Sequence, residues 1–105
     1  MRSMLPEPKS APVCRVVHLP EEGRYEARSL EDDHRMGWLN YRLEGNLMVI
    51  KTTNTVPEHR GQGVAGCLAK AALEDALDAG RSVDALCWYV AEYIERNPRY
   101  YNLQV

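Results

Sequence analysis

Between a β-branched run that closes on Thr55-Val56-Pro57 and an alanine-rich stretch that opens near Val64 or Ala65 lies the turn Glu58-His59-Arg60-Gly61-Gln62-Gly63. A strand, a glycine-bearing turn and a helix in that order can hold an anion. Glycines let the backbone close on a ligand, and the free N–H groups of the helix's first turn, backed by its dipole, suit a diphosphate. The same glycines also suit a tight turn with no ligand, and their spacing leaves both readings open. Gly61-Gln-Gly-Val-Ala-Gly66 satisfies GxGxxG literally. Yet it lies mid-chain behind an apparent antiparallel hairpin, with room for one further strand, too few for a dinucleotide-binding half.

Cys87 is a second candidate for chemistry. A thiolate there takes an acyl group if a positive group or a helix N-terminus lowers its pKa, and the short helix expected from Tyr89 or Val90 supplies such a terminus. The alternative is a small apolar residue in a channel wall. Tyr93, six residues on, reads as ordinary core of a short amphipathic helix. Cys67 falls inside the alanine-rich helix and reads as packing, and Trp88 and Tyr89 read as cavity lining or core. His59 reads as solvated, and His18 and His34 offer less. The pairs Glu21-Glu22 and Asp32-Asp33 sit in apparent turns, where solvated charge is the default.

The elements that must position these groups follow from periodicity. Cys14–Leu19 and Gly23–Ser29 are β-rich segments joined by Pro20-Glu-Glu-Gly23, a turn. The charged cluster from Glu31 to Arg35 reads as a loop, with Gly37 at the next strand's entry. Alternation from Trp38 to Leu43 puts Leu39, Tyr41 and Leu43 on one face and Trp38, Asn40 and Arg42 on the other. Glu44-Gly45-Asn46 turns the chain into the run Leu47–Thr55, so these two strands pair as a hairpin. Beyond the glycine turn, Val64, Ala65, Leu68, Ala69, Ala72, Leu73, Ala76 and Leu77 fill a broad apolar arc opposite Lys70, Glu74 and Asp78, with Gly80 as C-cap. Ser82 to Cys87 reads as a buried strand and Val90 to Arg96 as a short helix stopped by Asn97-Pro98. Tyr100, Tyr101 and Leu103 then dock the C-terminus.

The whole chain has 105 residues, enough for one core. We expect a flexible tail over residues 1–12, where half of the six prolines fall, and a single domain over 13–105. Thirteen basic and fifteen acidic residues leave a formal charge of −2, so no overall positive field draws in nucleic acid. Three cysteines spread along the sequence match neither a disulfide framework nor zinc-site spacing, which points to a reducing, cytoplasmic compartment with no metal. No apolar run reaches membrane-spanning length. Oligomeric state is not legible.

The stretch Val56-Pro-Glu-His-Arg-Gly-Gln-Gly-Val-Ala-Gly-Cys-Leu68 resembles the acyl-CoA loop of GNAT-type acetyltransferases, Arg/Gln-x-x-Gly-x-Gly/Ala, with Arg60, Gly63 and Ala65 filling the pattern. Val83 to Tyr100 resembles the end of the family's small single-domain branch, a Cys followed by a short helix and His-Pro-x-Tyr. Together the two resemblances span roughly residues 13–105. They imply an α/β (α+β) fold: a mixed, mostly antiparallel sheet that splays beside the loop, a long helix after the loop and a short C-terminal helix. They imply acetyl-CoA in the cleft, its diphosphate on Gly61, Gln62, Gly63, Val64, Ala65 and Gly66 with Arg60. The pantetheine arm would lie along Thr53, Thr55 and Val56, whose edge amides near Thr55 and Val56 would polarise the thioester. Asn97, where the branch has His, joins the cofactor-binding set, and Cys87 and Tyr93 are the catalytic candidates. Thr52-Thr53 stands where the branch has His-Thr, and Ala85 where it has Pro before the Cys. The implied activity is acetyl transfer to an amine, or less readily a thiol. The alternative is an acyl-CoA binding or sensing module that does not turn over.

Overall fold

A computed structural model describes residues 13–105. The tail expected over residues 1–12 lies outside the described residues. Five strands, β1 (Arg15–Leu19), β2 (Arg24–Arg28), β3 (Arg35–Glu44), β4 (Leu47–Thr55) and β5 (Ser82–Ala85), form one sheet in chain order. The first four pair antiparallel, and β5 returns parallel to β4 after the helix α1 (Val64–Ala79). A second helix, α2 (Trp88–Arg96), and a 3-10 segment (Pro98–Leu103) complete the fold.

The two hairpins form where glycine permits left-handed backbone. Gly23, at φ 61°, closes the Pro20–Glu22 turn between β1 and β2, and Gly45, at φ 59°, opens the two-residue link between β3 and β4. Asn46 fastens that second hairpin to the end of α1, donating from Nδ2 to the Gly80 carbonyl at 2.7 Å. Two bulges bend the central strands. Met36 is the extra residue on β3 where Ala27 faces Gly37 but Arg28 faces Arg35. Lys51 is the extra residue on β4, since Asn40 faces Thr52 and Tyr41 faces Ile50. Bulges sharpen local twist and end pairing.

All of α1 lies on one sheet face. Its buried residues are Val64, Leu68, Ala69, Ala72, Leu73 and Ala76, six of the eight in the expected arc, with Ala65 and Leu77 half-buried at its margins, and three alanines among the six let the helix axis come close to β2, β3 and β4. Tyr25, Leu39 and Ile50 meet it from the sheet, and Ile94 from α2. Burying each such side chain contributes about 2 kcal/mol. Gly80, at φ 67°, ends α1, its N–H reaching the carbonyls of Ala76 and Leu77.

Three boundaries and two burials differ from expectation. β3 begins at Arg35, upstream of Gly37. Leu43 shares the face of Leu39 and Tyr41 but is exposed, because it lies at the hairpin end of β3 beyond the cover of α1. Tyr101 is exposed as well, while Tyr100 and Leu103 are buried and dock the C-terminal segment. The last strand stops at Ala85, and α2 starts at Trp88, two residues early, with Cys87 as its N-cap. Among the described residues no helix is long and apolar enough to cross a membrane.

Candidate active site

The cleft is built by a strand that loses its neighbour. Pairing of β4 with β5 ends at Ile50 and Ala85. There the N–H groups of Leu86 and Cys87 both donate to the Ile50 carbonyl, at 3.0 and 3.2 Å, so the chain turns away from β4 just before the Lys51 bulge. From Lys51 to Thr55 the strand pairs with β3 alone.

Which amides face the opening is set by the ladder. Val56 donates its N–H to the Met36 carbonyl at 2.9 Å, so that amide is spent on β3 and is not free to polarise a thioester. The expectation for Val56 is corrected accordingly. Alternation then turns the Asn54 amide toward β3 as well, and the backbone groups of Thr53 and Thr55 toward the open side. An extended ligand with its own amides can pair with that edge as an added strand does.

The opening is a cavity of about 440 Å³ with Thr53, Asn54 and Thr55 on one wall, Cys87, Trp88 and Tyr89 on the other, and Arg60 and Ala65 at its end. It runs on into a second hollow of about 240 Å³ formed by Thr55, His59, Arg60, Gly61, Gly63, Val64, Ala65, Gly66 and Tyr89. Gly61 and Gly63 take φ of 80° and 87°, and Gly63 is the N-cap of α1. A side chain on Gly61 would meet nothing within 4 Å, so its glycine serves backbone conformation and leaves open space above the turn. The first turn of α1 carries no acidic residue and no side-chain cap. Its leading N–H groups, which have no carbonyl one turn back within the helix, therefore face the hollow with the positive end of the dipole behind them and Arg60 beside them. That combination suits a diphosphate.

Not every expected residue arrives here. Gln62 is turned to its own loop, Nε2 donating to the Glu58 carbonyl at 3.4 Å. Asn97 stands at the far end of α2, where Nδ2 donates to the Tyr93 carbonyl at 2.8 Å, so it caps the helix and does not reach the cleft walls. Tyr93 packs between Tyr89 and Tyr100, with ring centroids 6.3 and 6.1 Å away. Tyr89, one helical turn earlier, lines both hollows instead. A Cβ on Gly66 would lie 3.5 Å from the Tyr89 hydroxyl, so the glycine gives that hydroxyl its place over the start of α1. Burial raises the pKa of both tyrosines, which keeps each protonated at neutral pH.

Cys87 Sγ lies 3.4 Å from Thr53 Oγ1 and is the group that joins the two walls. Among the described residues no imidazole or carboxylate hydrogen-bonds to it. The two other thiols meet in the core: Cys14 contacts Cys67 across the sheet and helix, and burial with that contact pushes the Cys14 thiol up to about 12. His59 is less solitary than its loop suggests. Its Nε2 is 2.8 Å from His34 Nε2, and its Nδ1 is 3.2 Å from Gln62 Oε1. Asp32 Oδ1 in turn lies 2.5 Å from His34 Nδ1. This chain clips the glycine turn to the β2–β3 loop, a link that neither sequence segment announces. Among the described residues no cluster of His, Cys, Asp and Glu is arranged to hold a metal.

Comparison with known proteins shows the family and the fold. Residues 24–103 match the family model described as GCN5-related N-acetyl-transferase. Protein NATD1 of Mus musculus is 33% identical over 85 residues, covering 80% of this chain and 76% of the relative. Protein NATD1 of Gallus gallus is 35% identical over 66 residues, 62% of this chain and 60% of that protein. Among solved structures, a GCN5-like protein from Staphylococcus aureus, determined by NMR in solution, superposes with a TM-score of 0.67 at 22% identity over 90% of this chain and 91% of its own. Nourseothricin acetyltransferase reaches 0.51 at 25% identity over 59% of this chain and 38% of its own.

Proposed function

Since the chain belongs to the GCN5-related N-acetyltransferase family, we propose that it binds acetyl-CoA in the cleft between β4 and α2 and transfers the acetyl group to an amine. The observation that carries this reading is the meeting, in one opening, of the unpaired edge of Thr53 and Thr55 with the uncapped start of α1. An acyl-CoA has the same two parts, an amide-bearing arm and a diphosphate, joined end to end.

In this reading Gly61, Gly63, Val64, Ala65 and Gly66 receive the diphosphate with Arg60, and Thr53 and Thr55 pair with the arm. When bound, acetyl-CoA supplies an acyl carbon that exchanges its C–S bond for a C–N bond to the acceptor nitrogen. Tyr89 gives its phenolic proton to the departing sulfur and regains one from water, which also takes the proton the amine sheds. Burial holds the Tyr89 phenol in its protonated form until the sulfur departs. Cys87 forms the wall beside the acyl end and holds Thr53 in place through its thiol. We place this chemistry in the cytoplasm, where three unbridged thiols stay reduced.

Thermal unfolding with and without acetyl-CoA tests the reading. Ligand at about 100 times its dissociation constant stabilises by about 2.7 kcal/mol. In a domain of this size that raises Tm by roughly 10 °C or more. We expect that shift with acetyl-CoA and CoA and not with ATP or NAD, followed by turnover with an amine. No shift with acetyl-CoA would overturn the cleft assignment. A shift without turnover on any amine would leave a binding module.

A further inference from the structure

The sheet face turned away from α1 carries a surplus of arginine beside the cleft. On β2, Tyr25 and Ala27 are buried against α1, so Arg24, Glu26 and Arg28 project from the other face. Cross-strand register sets Arg15 opposite Arg28 and Arg28 opposite Arg35, three like charges in one row over β1, β2 and β3. Such facing pairs destabilise a sheet. Glu26, only 10% exposed at its side chain, offsets part of this, with Arg28, Arg24 and Arg35 at 2.8, 3.4 and 3.7 Å from its carboxylate. Asp33 takes both Arg15 and Arg28. Four guanidiniums thus face two carboxylates, and Arg35 and Arg15 remain about half exposed. Trp38 lies between Arg35 and Arg24, whose guanidinium carbons are 4.4 and 6.0 Å from its ring.

This face leads to the acyl cleft. Glu26 faces Trp38, and Trp38 faces Asn54, which lines the cleft wall next to Thr53. With strands about 4.8 Å apart, β2 lies roughly 10 Å from that wall, the reach of three extended residues. The backbones of Arg24 and Arg28 are about 13 Å apart along β2, and their guanidiniums converge on the Glu26 carboxylate between them, which leaves the outer N–H groups of each for a separate acceptor.

We propose that the acceptor is the free amino terminus of an acidic polypeptide segment, its amine at the cleft wall by Thr53 and Asn54, its following Asp or Glu side chains on Arg35, Arg24 and Arg28 across Trp38. The acceptor role rests on the acetyltransferase reading, and the docking surface stands apart from it. The chain's own first twelve residues are a poor occupant, since Arg2 and Lys9 outnumber Glu7 there. The net charge of −2 disfavours the long polyanion of a nucleic-acid backbone more than a short acidic segment.

The test uses a fluorescent peptide with a free amino terminus and Asp or Glu at its second to fourth residues, and a counterpart with Asn and Gln there. The acidic peptide binds about tenfold or more tighter at low salt, and the difference shrinks as salt rises. Arg35→Gln and Arg24→Gln each weaken it by about tenfold. Glu26→Gln tightens it, which keeps the test valid should an arginine variant misfold, and the thermal shift with acetyl-CoA is unchanged throughout. Equal binding of the two peptides, or displacement by polyuridine with no acidic-peptide binding, overturns the surface. Acetylation of the amide peptide with the same kcat/KM as the acidic one overturns the acceptor class while the transferase reading stands. Binding of the acidic peptide as described, with no acetylation of either peptide, supports the surface and overturns the acceptor class, and the transferase reading falls with it only if no other amine is acetylated.

Discussion

Cys87 Sγ donates to Thr53 Oγ1 across 3.4 Å, and that contact spans the gap where β4 and the β5–α2 chain part. A thiol engaged as a donor to a threonine hydroxyl, with no base beside it among the described residues, is placed to shape a wall. Cys87→Ala therefore leaves the thermal shift with acetyl-CoA in place and lowers transfer by less than about tenfold, as loss of a weak hydrogen bond requires. Steady-state kinetics check this, together with mass spectrometry of the enzyme mixed with acetyl-CoA alone. A hydroxylamine-labile acetyl adduct on Cys87, with all transfer lost in the alanine variant, would instead make the thiol the nucleophile.

Tyr89 and Tyr93 sit one helical turn apart on α2, and only the first lines the cleft. Tyr89→Phe is expected to lower kcat by about 100-fold with acetyl-CoA affinity preserved, the usual loss on removing a general acid. Tyr93→Phe leaves kcat within a few-fold, since Tyr93 serves packing against Tyr100. The pH profile separates chemistry from structure. Wild type loses activity on the alkaline side as Tyr89 deprotonates, and that limb is displaced upward by its raised pKa. The limb disappears in Tyr89→Phe.

The glycine turn makes a sharper demand. Gly63 holds φ 87° at the N-cap of α1, with only a Val13 methyl, at 3.9 Å, near the position of a Cβ. Gly63→Ala therefore costs about 1 kcal/mol from backbone conformation alone. Gly63→Glu adds a carboxylate where the diphosphate belongs and abolishes the acetyl-CoA thermal shift in a chain that still folds. Arg60→Ala, which removes one charged hydrogen-bonding group, weakens acetyl-CoA by about 10- to 100-fold. Titration calorimetry measures both. Unchanged affinity in a folded Gly63→Glu protein would remove the diphosphate from this turn.

What the chain announces in advance divides along physical lines. The strand, glycine turn and helix were legible because glycine at positive φ and a 3.6-residue apolar arc are local properties, and Gly63 and Leu68 carry them within a few residues. Two long-range facts were not. The amide of Val56 looks free in sequence and is spent on Met36, a pairing set by bulges at Met36 and Lys51 that no residue type marks. Tyr89 replaces Tyr93 in the cleft because α2 begins at Trp88, and its cap, Cys87, is not among the residues that signal a helix start. The like-charge row of Arg15, Arg28 and Arg35 likewise exists only in register.

Acid stability offers a test away from the cleft. Arg99 pairs with Glu74 through both nitrogens, at 2.7 and 2.8 Å, and the Tyr100 hydroxyl donates to the same carboxylate at 2.7 Å, tying the C-terminal segment to α1. The Arg99 guanidinium first and the Tyr100 hydroxyl second hold the Glu74 carboxyl at about 2, below its ordinary 4.5. A folded-state value below the unfolded one means that the unfolded chain binds more protons through this range. The contribution of Glu74 is therefore complete above about pH 4.5 and fades as the pH falls through about 2. Wild type melts above Glu74→Gln at neutral pH by no more than a few degrees, because the pair is exposed and screened. That gap closes on acidification toward pH 2 and narrows in high salt. Thermal melts of both proteins across this range check it, and Arg99→Gln shows the same closing gap. A difference between wild type and Glu74→Gln that stays constant from neutral pH to pH 2 would mean that the carboxylate's charge contributes nothing to the docking of the C-terminal segment.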